Sequence, residues 1–280
     1  MRCPMSFKDP VVLGRTGLSV GRLGVASGYW APADAIETAF EHGCNYFTWG
    51  TFIRGRSPHM GEAIRRIVAN GQRDRLVLAM FSYAHQAFLT ETLLVRGLRA
   101  VGLERADVLV LGYFGRRPPR SVVDGALRLK EKGLVRFLGL SSHNRALFPE
   151  LRREGLFDVF HVRYSAVNSG AEVDAFPGLS GGDRPGVVAF TATAWGRLLS
   201  ERKMPAGDAP LRAPDCYRFA LSHPGVDVCM TGARTADQMR ENLRALELGP
   251  LGADEMTRVR RIGDHVYGKP RTRPAGQPRP

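Results

Sequence analysis

Short runs of apolar, β-favouring residues recur along this chain and alternate with longer stretches whose apolar positions fall at a helical period. The runs are Val20–Ser27, Cys44–Thr48, Leu76–Ser82, Asp107–Tyr113, Arg136–Ser141, Asp158–Arg163, Gly186–Thr191 and Val226–Thr231. Their nearly continuous hydrophobicity predicts strands covered on both faces, as in a parallel sheet. Helical patterns occupy Asp34–His42, Pro58–Ala69, Ala87–Val101, Arg120–Lys132, Arg145–Glu154, Pro214–His223 and Ala236–Leu246. Gly43, Gly102, Gly133 and Gly155 each stand where a left-handed residue closes a helix.

Eight strands alternating with helices predict an α/β fold, a closed (β/α)8 TIM barrel. A doubly wound sheet fits less well, because it usually has about five or six strands. No G-x-G-x-x-G follows an early strand, and no P-loop sequence occurs. The opening VVLGRTGLSVGRLGV places Arg15-Thr16-Gly17 between two β-like runs and predicts an N-terminal β-hairpin ahead of the barrel. The reading is one barrel domain over residues 1–268, with no linker and no internal repeat. Residues 269–280, KPRTRPAGQPRP, hold Lys269, Arg271, Arg273 and Arg279 with four prolines and no acid. So little apolar surface cannot offset the entropy of ordering, and the segment reads as a disordered basic tail.

Composition changes this picture little. The 280 residues are 44% hydrophobic and 24% charged, ordinary for a chain that buries a core. No apolar run approaches the roughly 18–20 residues of a membrane span. The start, MRCPMSFKDP, lacks the apolar core of a signal peptide. Cys3, Cys44, Cys216 and Cys229 lie far apart with no CxxC pair, which excludes the common zinc and thioredoxin-like spacings and suggests reduced thiols in a cytoplasmic protein. No His/Asp/Glu cluster has metal-ligand spacing, so no metal is expected. The formal net charge is +13, and removing the tail leaves +9 on the body. No aromatic-interleaved basic strand or recognition helix accompanies that charge, so nucleic acid is not the expected partner. An arginine-rich surface and a site for an anionic small ligand both remain open. The sequence leaves the oligomeric state undetermined.

Four segments carry a resemblance: LGRTGLSVGRLGV, AFEHGCNYF, LKEKGLVRFLGLSSHN and RFALSHPGVDVCMTGARTADQMREN. In this order, each on its expected strand or helix, they resemble the aldo-keto reductases over roughly Val11 to Gly268. The resemblance implies a barrel reductase that binds NADPH across its C-terminal mouth and acts on a small-molecule substrate. It assigns Ser141 and Ser142, after the fifth barrel strand, to the nicotinamide carboxamide, together with His161 on the sixth, where relatives carry Gln. Phe190 on the seventh strand takes the place of the aromatic that stacks on nicotinamide, and Thr191 and Arg197 match the pyrophosphate loop. In GARTADQMREN, Gly232 permits close backbone approach, Arg234 is placed for a 2′-phosphate, and Gln238 and Asn242 for adenine. An arginine at a helix N-terminus is a sound phosphate site, because its charge and free backbone N–H groups converge there.

The catalytic side of the resemblance is not kept. The family protonates its carbonyl substrate with a Tyr tuned by a Lys–Asp pair, while a His orients the oxygen. In this sequence the Asp position is Thr48, the Tyr position Ile53, the Lys position Phe81 and the His position Gly112. Ile53, Phe81 and Gly112 have no ionisable group, so that relay cannot operate there. Strand alternation places Tyr83 on the face of Phe81 and His143 on the face of Ser141, with Tyr113 following Gly112 into a loop. These three are the replacement candidates at the barrel's catalytic end; His85, His59 and Thr51 are weaker. The mouth includes Trp30, Trp49, Phe52, Arg54, Phe114 and Arg116. The chain thus reads as a divergent NADPH-dependent oxidoreductase with an altered site, suited to an imine or another activated acceptor. A non-catalytic nucleotide-binding relative and a barrel repurposed for non-redox chemistry are the alternatives. Fold likeness cannot choose among them, because function lives in the site.

Overall fold

The structure, a computed structural model, describes residues 6–50, 57–112 and 114–268. It opens with a hairpin, β1 (Val11–Val12) antiparallel to β2 (Ser19–Val20). Eight parallel strands follow: β3 (Leu23–Ala26), β4 (Tyr46–Gly50), β5 (Val77–Ser82), β6 (Ala106–Leu111), β7 (Val135–Ser142), β8 (Val159–Arg163), β9 (Gly186–Phe190) and β10 (Val228–Thr231). They close into a barrel in sequence order, β10 pairing with β3. The helices between and after them are α1 (Ala33–Glu41), α2 (Pro58–Ala69), α3 (Ala87–Ala100), α4 (Arg120–Glu131), α5 (Leu147–Glu154), α6 (Ala171–Asp174), α7 (Ala213–Leu221), α8 (Ala236–Leu248) and α9 (Ala253–Tyr267).

All eight expected strands and the hairpin are present. The first run divides: Val20 belongs to the hairpin, and the barrel strand begins at Leu23. Gly43, Gly102, Gly133 and Gly155 have left-handed φ between 70° and 87°. The sequence reading missed α9 and the short α6. The expected disorder of residues 269–280 lies outside the described residues. Among the described residues, no helix is long and apolar enough to cross a membrane.

The base of the barrel is stitched by one side chain per pair of strands. Asn45, just before β4, accepts the N–H of Gly21 at 2.9 Å. Asp107 on β6 accepts that of Leu78 at 2.9 Å, Asp158 before β8 that of Leu138 at 3.1 Å, and Asp227 before β10 that of Val187 at 2.8 Å. The three carboxylates are buried and charge-compensated, Asp107 by Arg73 and Arg136, Asp158 by Arg15 and Lys130, and Asp227 by Arg184. Arg15 comes from the hairpin turn, whose Leu13 packs on Gly186 and closes the base. Gly14 is required there: at φ 48°, a Cβ would lie 2.1 Å from the Gly186 nitrogen.

Alternate residues project into the barrel in layers. Tyr46, Val108, Val159 and Val228 fill a lower layer from the even-numbered strands. Two residues further along those strands stand Thr48, Val110, His161 and Met230. Phe81, Ser141 and Phe190, from odd-numbered strands, complete the top. A large apolar cluster outside the strands packs the helices against them.

The stitching predicts a graded stability response. Asp227→Ala leaves Arg184 and the Val187 N–H without their acceptor and should lower the unfolding free energy by about 3 kcal/mol or more. Asp227→Asn keeps an acceptor for the N–H and should cost less. Urea unfolding of the two variants checks this; equal, small losses would contradict it.

Candidate active site

A cleft of about 1000 Å³ crosses the C-terminal mouth of the barrel, at the upper end of the range for cofactor sites. Its deep end is formed by Thr48, Phe81, Ser141, His161, Phe190 and Met230. From there it runs along the loop after β9 to Gly232, Arg234, Gln238 and Asn242 at the start of α8. This is the end where barrel strands present functional side chains, because parallel strands direct all their βα loops to one face.

Of the residues expected to hold a nucleotide, Ser141, Ser142, His161, Phe190, Thr191, Gly232, Arg234, Gln238 and Asn242 all line this one cleft. Arg197 does not: its guanidinium turns away and donates to the Val266 carbonyl at the end of α9, where helix carbonyls attract cations. The Ser142 hydroxyl donates to the Phe114 carbonyl at 2.6 Å and accepts the Asn144 N–H, tying two loops together. At the other end, Thr235 caps α8 by accepting the Gln238 N–H. Gln238 Oε1 accepts the Arg234 N–H at 2.8 Å, leaving its amide hydrogens available. Asn242 donates to the Gly232 carbonyl at 3.1 Å, leaving its oxygen as an acceptor. Gly232 also packs closely against a neighbouring ring. The Tyr29 ring covers it so closely that a Cβ would meet Cδ2 at 2.1 Å.

The loop after β9 is strained. Thr191, Ala194 and Trp195 have φ of 63°, 50° and 57°, and Thr191 and Trp195 line the cleft. Left-handed backbone at a β-branched residue is a true outlier and clusters at ligand sites. Sequence patterning does not reveal φ, so the exposed Trp195, at 61%, escaped notice as a lining residue.

Of the positions that the resemblance assigns to a tetrad, Thr48 and Phe81 line the deep end, while Ile53 lies outside the described residues, as do Thr51, Phe52 and Arg54. Gly112 leaves room that another side chain fills: a Cβ there would lie 2.7 Å from Cε1 of Tyr83. Tyr83 thus occupies the space of the missing side chain, beside Phe81 at 5.9 Å between ring centres. His143 also lines the cleft and stacks on Phe190 at 5.8 Å. Tyr113 lies outside the described residues. Trp49 lines the cleft beside Thr48 but is only 3% exposed, and its indole donates to the Ser57 carbonyl at 3.1 Å and packs against Gly61. His85 stacks on Phe114 at 4.6 Å.

Residues 213–264, which include the Arg234–Asn242 cradle, match the family model described as the Aldo/keto reductase family. The whole structure superposes on the aldo-keto reductase AKR11C1 of Bacillus halodurans. Its holo form gives a TM-score of 0.74 at 20% identity, covering 91% of this chain and 96% of that one. Its apo form gives 0.72 at 21% identity, covering 91% and 95%. The fold is that of the aldo-keto reductases. No curated protein sequence matches the chain significantly. Within this aldo-keto reductase fold, the deep end departs in character from the family pattern that its sequence resembles. Among the described residues, the only carboxylate lining the cleft is Glu241, at the Arg234 end.

The deep end is therefore electrically neutral. Burial pushes His161 down to about 3, and Phe81 stands edge-on to its ring at 5.0 Å. Burial also lowers His143, with the nearby Arg163 acting in the same direction. Sequence reasoning missed Tyr46, whose hydroxyl lies 2.9 Å from His161 Nε2. Only layer-by-layer register places the two together across the barrel.

A buried neutral histidine has a measurable pH signature. Below about 6.5 the unfolded chain binds a proton that folded His161 refuses, so stability should fall as pH drops from about 6.5 towards 3. The slope from this group approaches about 1.4 kcal/mol per pH unit. His161→Gln should flatten the pH 6–4 limb in urea-unfolding measurements. An unchanged limb would show that other groups control acid lability.

Proposed function

We propose that the protein is an NADP(H)-dependent oxidoreductase of aldo-keto reductase type that works without the family's proton relay. The observation carrying this reading is the single cleft that joins Ser141, His161 and Phe190 to Arg234, Gln238 and Asn242. The donor set fits the cofactor. Arg234 and the capped N-terminus of α8 suit a phosphate. The free amide hydrogens of Gln238 and free oxygen of Asn242 match the mixed donor and acceptor edge of adenine. Phe190 offers a ring face and Ser141 a hydroxyl at the nicotinamide end. When bound, this cofactor supplies a hydride.

The chain's own residues then decide which acceptor can use it. Phe81, Phe190 and Tyr83 exclude water from the deep end and offer ring faces, while neutral His161 can hydrogen-bond an oxygen but cannot release a strong-acid proton. An iminium carbon is already electrophilic and needs no proton in the transition state, so this site suits it better than a simple aldehyde. Tyr83, filling the space above Gly112, is the phenol best placed to deliver a proton where an acceptor needs one. The absence of ionisable side chains at 48, 81 and 112 also favours a second reading, a barrel that binds nucleotide without redox turnover.

NADPH should bind more tightly than NADH by about tenfold to a hundredfold, the value of a charge-assisted contact at Arg234. Arg234→Met should bring the two close to parity in fluorescence titrations. Equal dissociation constants in the wild type would contradict the assignment.

Nitrobenzaldehyde should be reduced slowly or not at all, since general-acid help is typically worth about 10²–10⁴-fold. Cyclic imines, assayed beside it by absorbance at 340 nm, should turn over faster. Phe81→Lys places a cation beside a cationic acceptor and should slow imine reduction; faster reduction would rule out the cationic acceptor. Bound NADPH with no turnover of either substrate would favour the non-catalytic reading.

A further inference from the structure

We propose that Tyr46 is a positioning residue whose hydroxyl holds His161 as the Nδ1–H tautomer. The floor of the cleft thereby presents one fixed, neutral N–H donor to a ligand carbonyl oxygen. On the nucleotide reading above, on which this target rests, that oxygen belongs to the nicotinamide carboxamide.

Hydrogen-bond satisfaction decides between the two tautomers. Tyr46 is fully buried on β4, one layer below Thr48, and among the described residues its hydroxyl has a single hydrogen-bond partner, His161 Nε2 at 2.9 Å. Two arrangements fit that distance. If Nε2 carried the hydrogen and donated to the phenol oxygen, the phenol's own hydrogen would be buried without an acceptor, which folded proteins avoid. If the phenol donates, Nε2 accepts and both atoms are satisfied. Burial also disfavours the phenolate and pushes the Tyr46 hydroxyl well above its ordinary value, so it remains a donor. A neutral imidazole has one N–H, which must then be on Nδ1.

The surroundings keep the ring neutral and in place. Burial prevents protonation, and the edge-on ring of Phe81 stands where the family pattern would place a lysine. Ser141 is its register partner on β7. Among the described residues nothing hydrogen-bonds Nδ1, and His161 borders the cleft. A glutamine amide at this position could turn and present either a donor or an acceptor. Tautomer-locked His161 can only donate, so the floor selects an acceptor oxygen and disfavours an N–H.

The test is nitrogen-15 NMR of histidine-labelled protein, first without nucleotide. The expected result is a protonated Nδ1 and an unprotonated, hydrogen-bonded Nε2 for His161, unchanged from pH 8 to pH 5. A protonated Nε2 would overturn the proposal. Tyr46→Phe removes one oxygen while keeping the ring, and both tautomers should then be populated; a spectrum identical to wild type would also overturn it. Titration with NADP+ should shift the His161 Nδ1–H signal, and saturation without a shift would remove the proposed target. Tyr46→Phe should weaken NADPH and NADH alike, by about 3- to 10-fold, leaving their ratio unchanged. Adding His161→Gln to that variant should restore affinity, because an amide needs no tautomer set for it. Restoration would support the positioning role, and continued weakness would assign Tyr46 to packing alone. The tautomer is read without nucleotide. A wild-type protein that binds none would therefore overturn the nucleotide reading distinguishably from a wrong tautomer.

Discussion

Four polar side chains at the closed end of the barrel set the terms for everything at the open end. Parallel strands leave N–H groups unpaired where they begin, and Asn45, Asp107, Asp158 and Asp227 each hold one from the preceding strand. These bonds fix strand register. Side chains alternate faces along a strand, so a slip of one residue would turn Thr48, Phe81, Ser141, His161 and Phe190 out of the cleft together. The buried carboxylates also account for part of the basic composition. Arg15, Arg73, Lys130, Arg136 and Arg184 are engaged there, and Arg15 ties the hairpin to the base in the same interaction.

The open end divides its chemistry along its length. One end has a cation, a helix N-terminus and amide groups with unused hydrogen-bonding capacity. The other is built of rings, a threonine, a serine and a histidine kept neutral by burial. Phe81 carries no charge and, packed against His161, helps to desolvate it. A deep end of this kind discriminates by shape, ring faces and a few hydrogen bonds, with little help from net charge.

Much of this was legible in the sequence. Strands covered on both faces show as continuous apolar runs, and every barrel strand was found, including Val226–Thr231, whose pairing begins at Val228. Helix α9 was missed because only Val259, Ile262, Gly263 and Val266 are buried among its many charges. The stitching at the base was invisible because Asn45, Asp107, Asp158 and Asp227 are unevenly spaced and look like ordinary loop residues. Most cleft-lining positions followed from their motifs and strand ends. Arg197 did not, since where a long side chain turns depends on partners distant in sequence, here Val266. The Tyr46–His161 contact joins opposite sides of the barrel and needed three-dimensional register to be seen.

The ring of Tyr29 lying on Gly232 makes two distant positions one unit of variation. Any side chain at 232 displaces the ring, and any smaller residue at 29 uncovers backbone beside Arg234. Substitutions at either position should be tolerated only in company with the other, so divergence among close relatives should show the two changing as a pair. An engineer widening that end of the cleft should begin from position 29, because position 232 has no volume to give up.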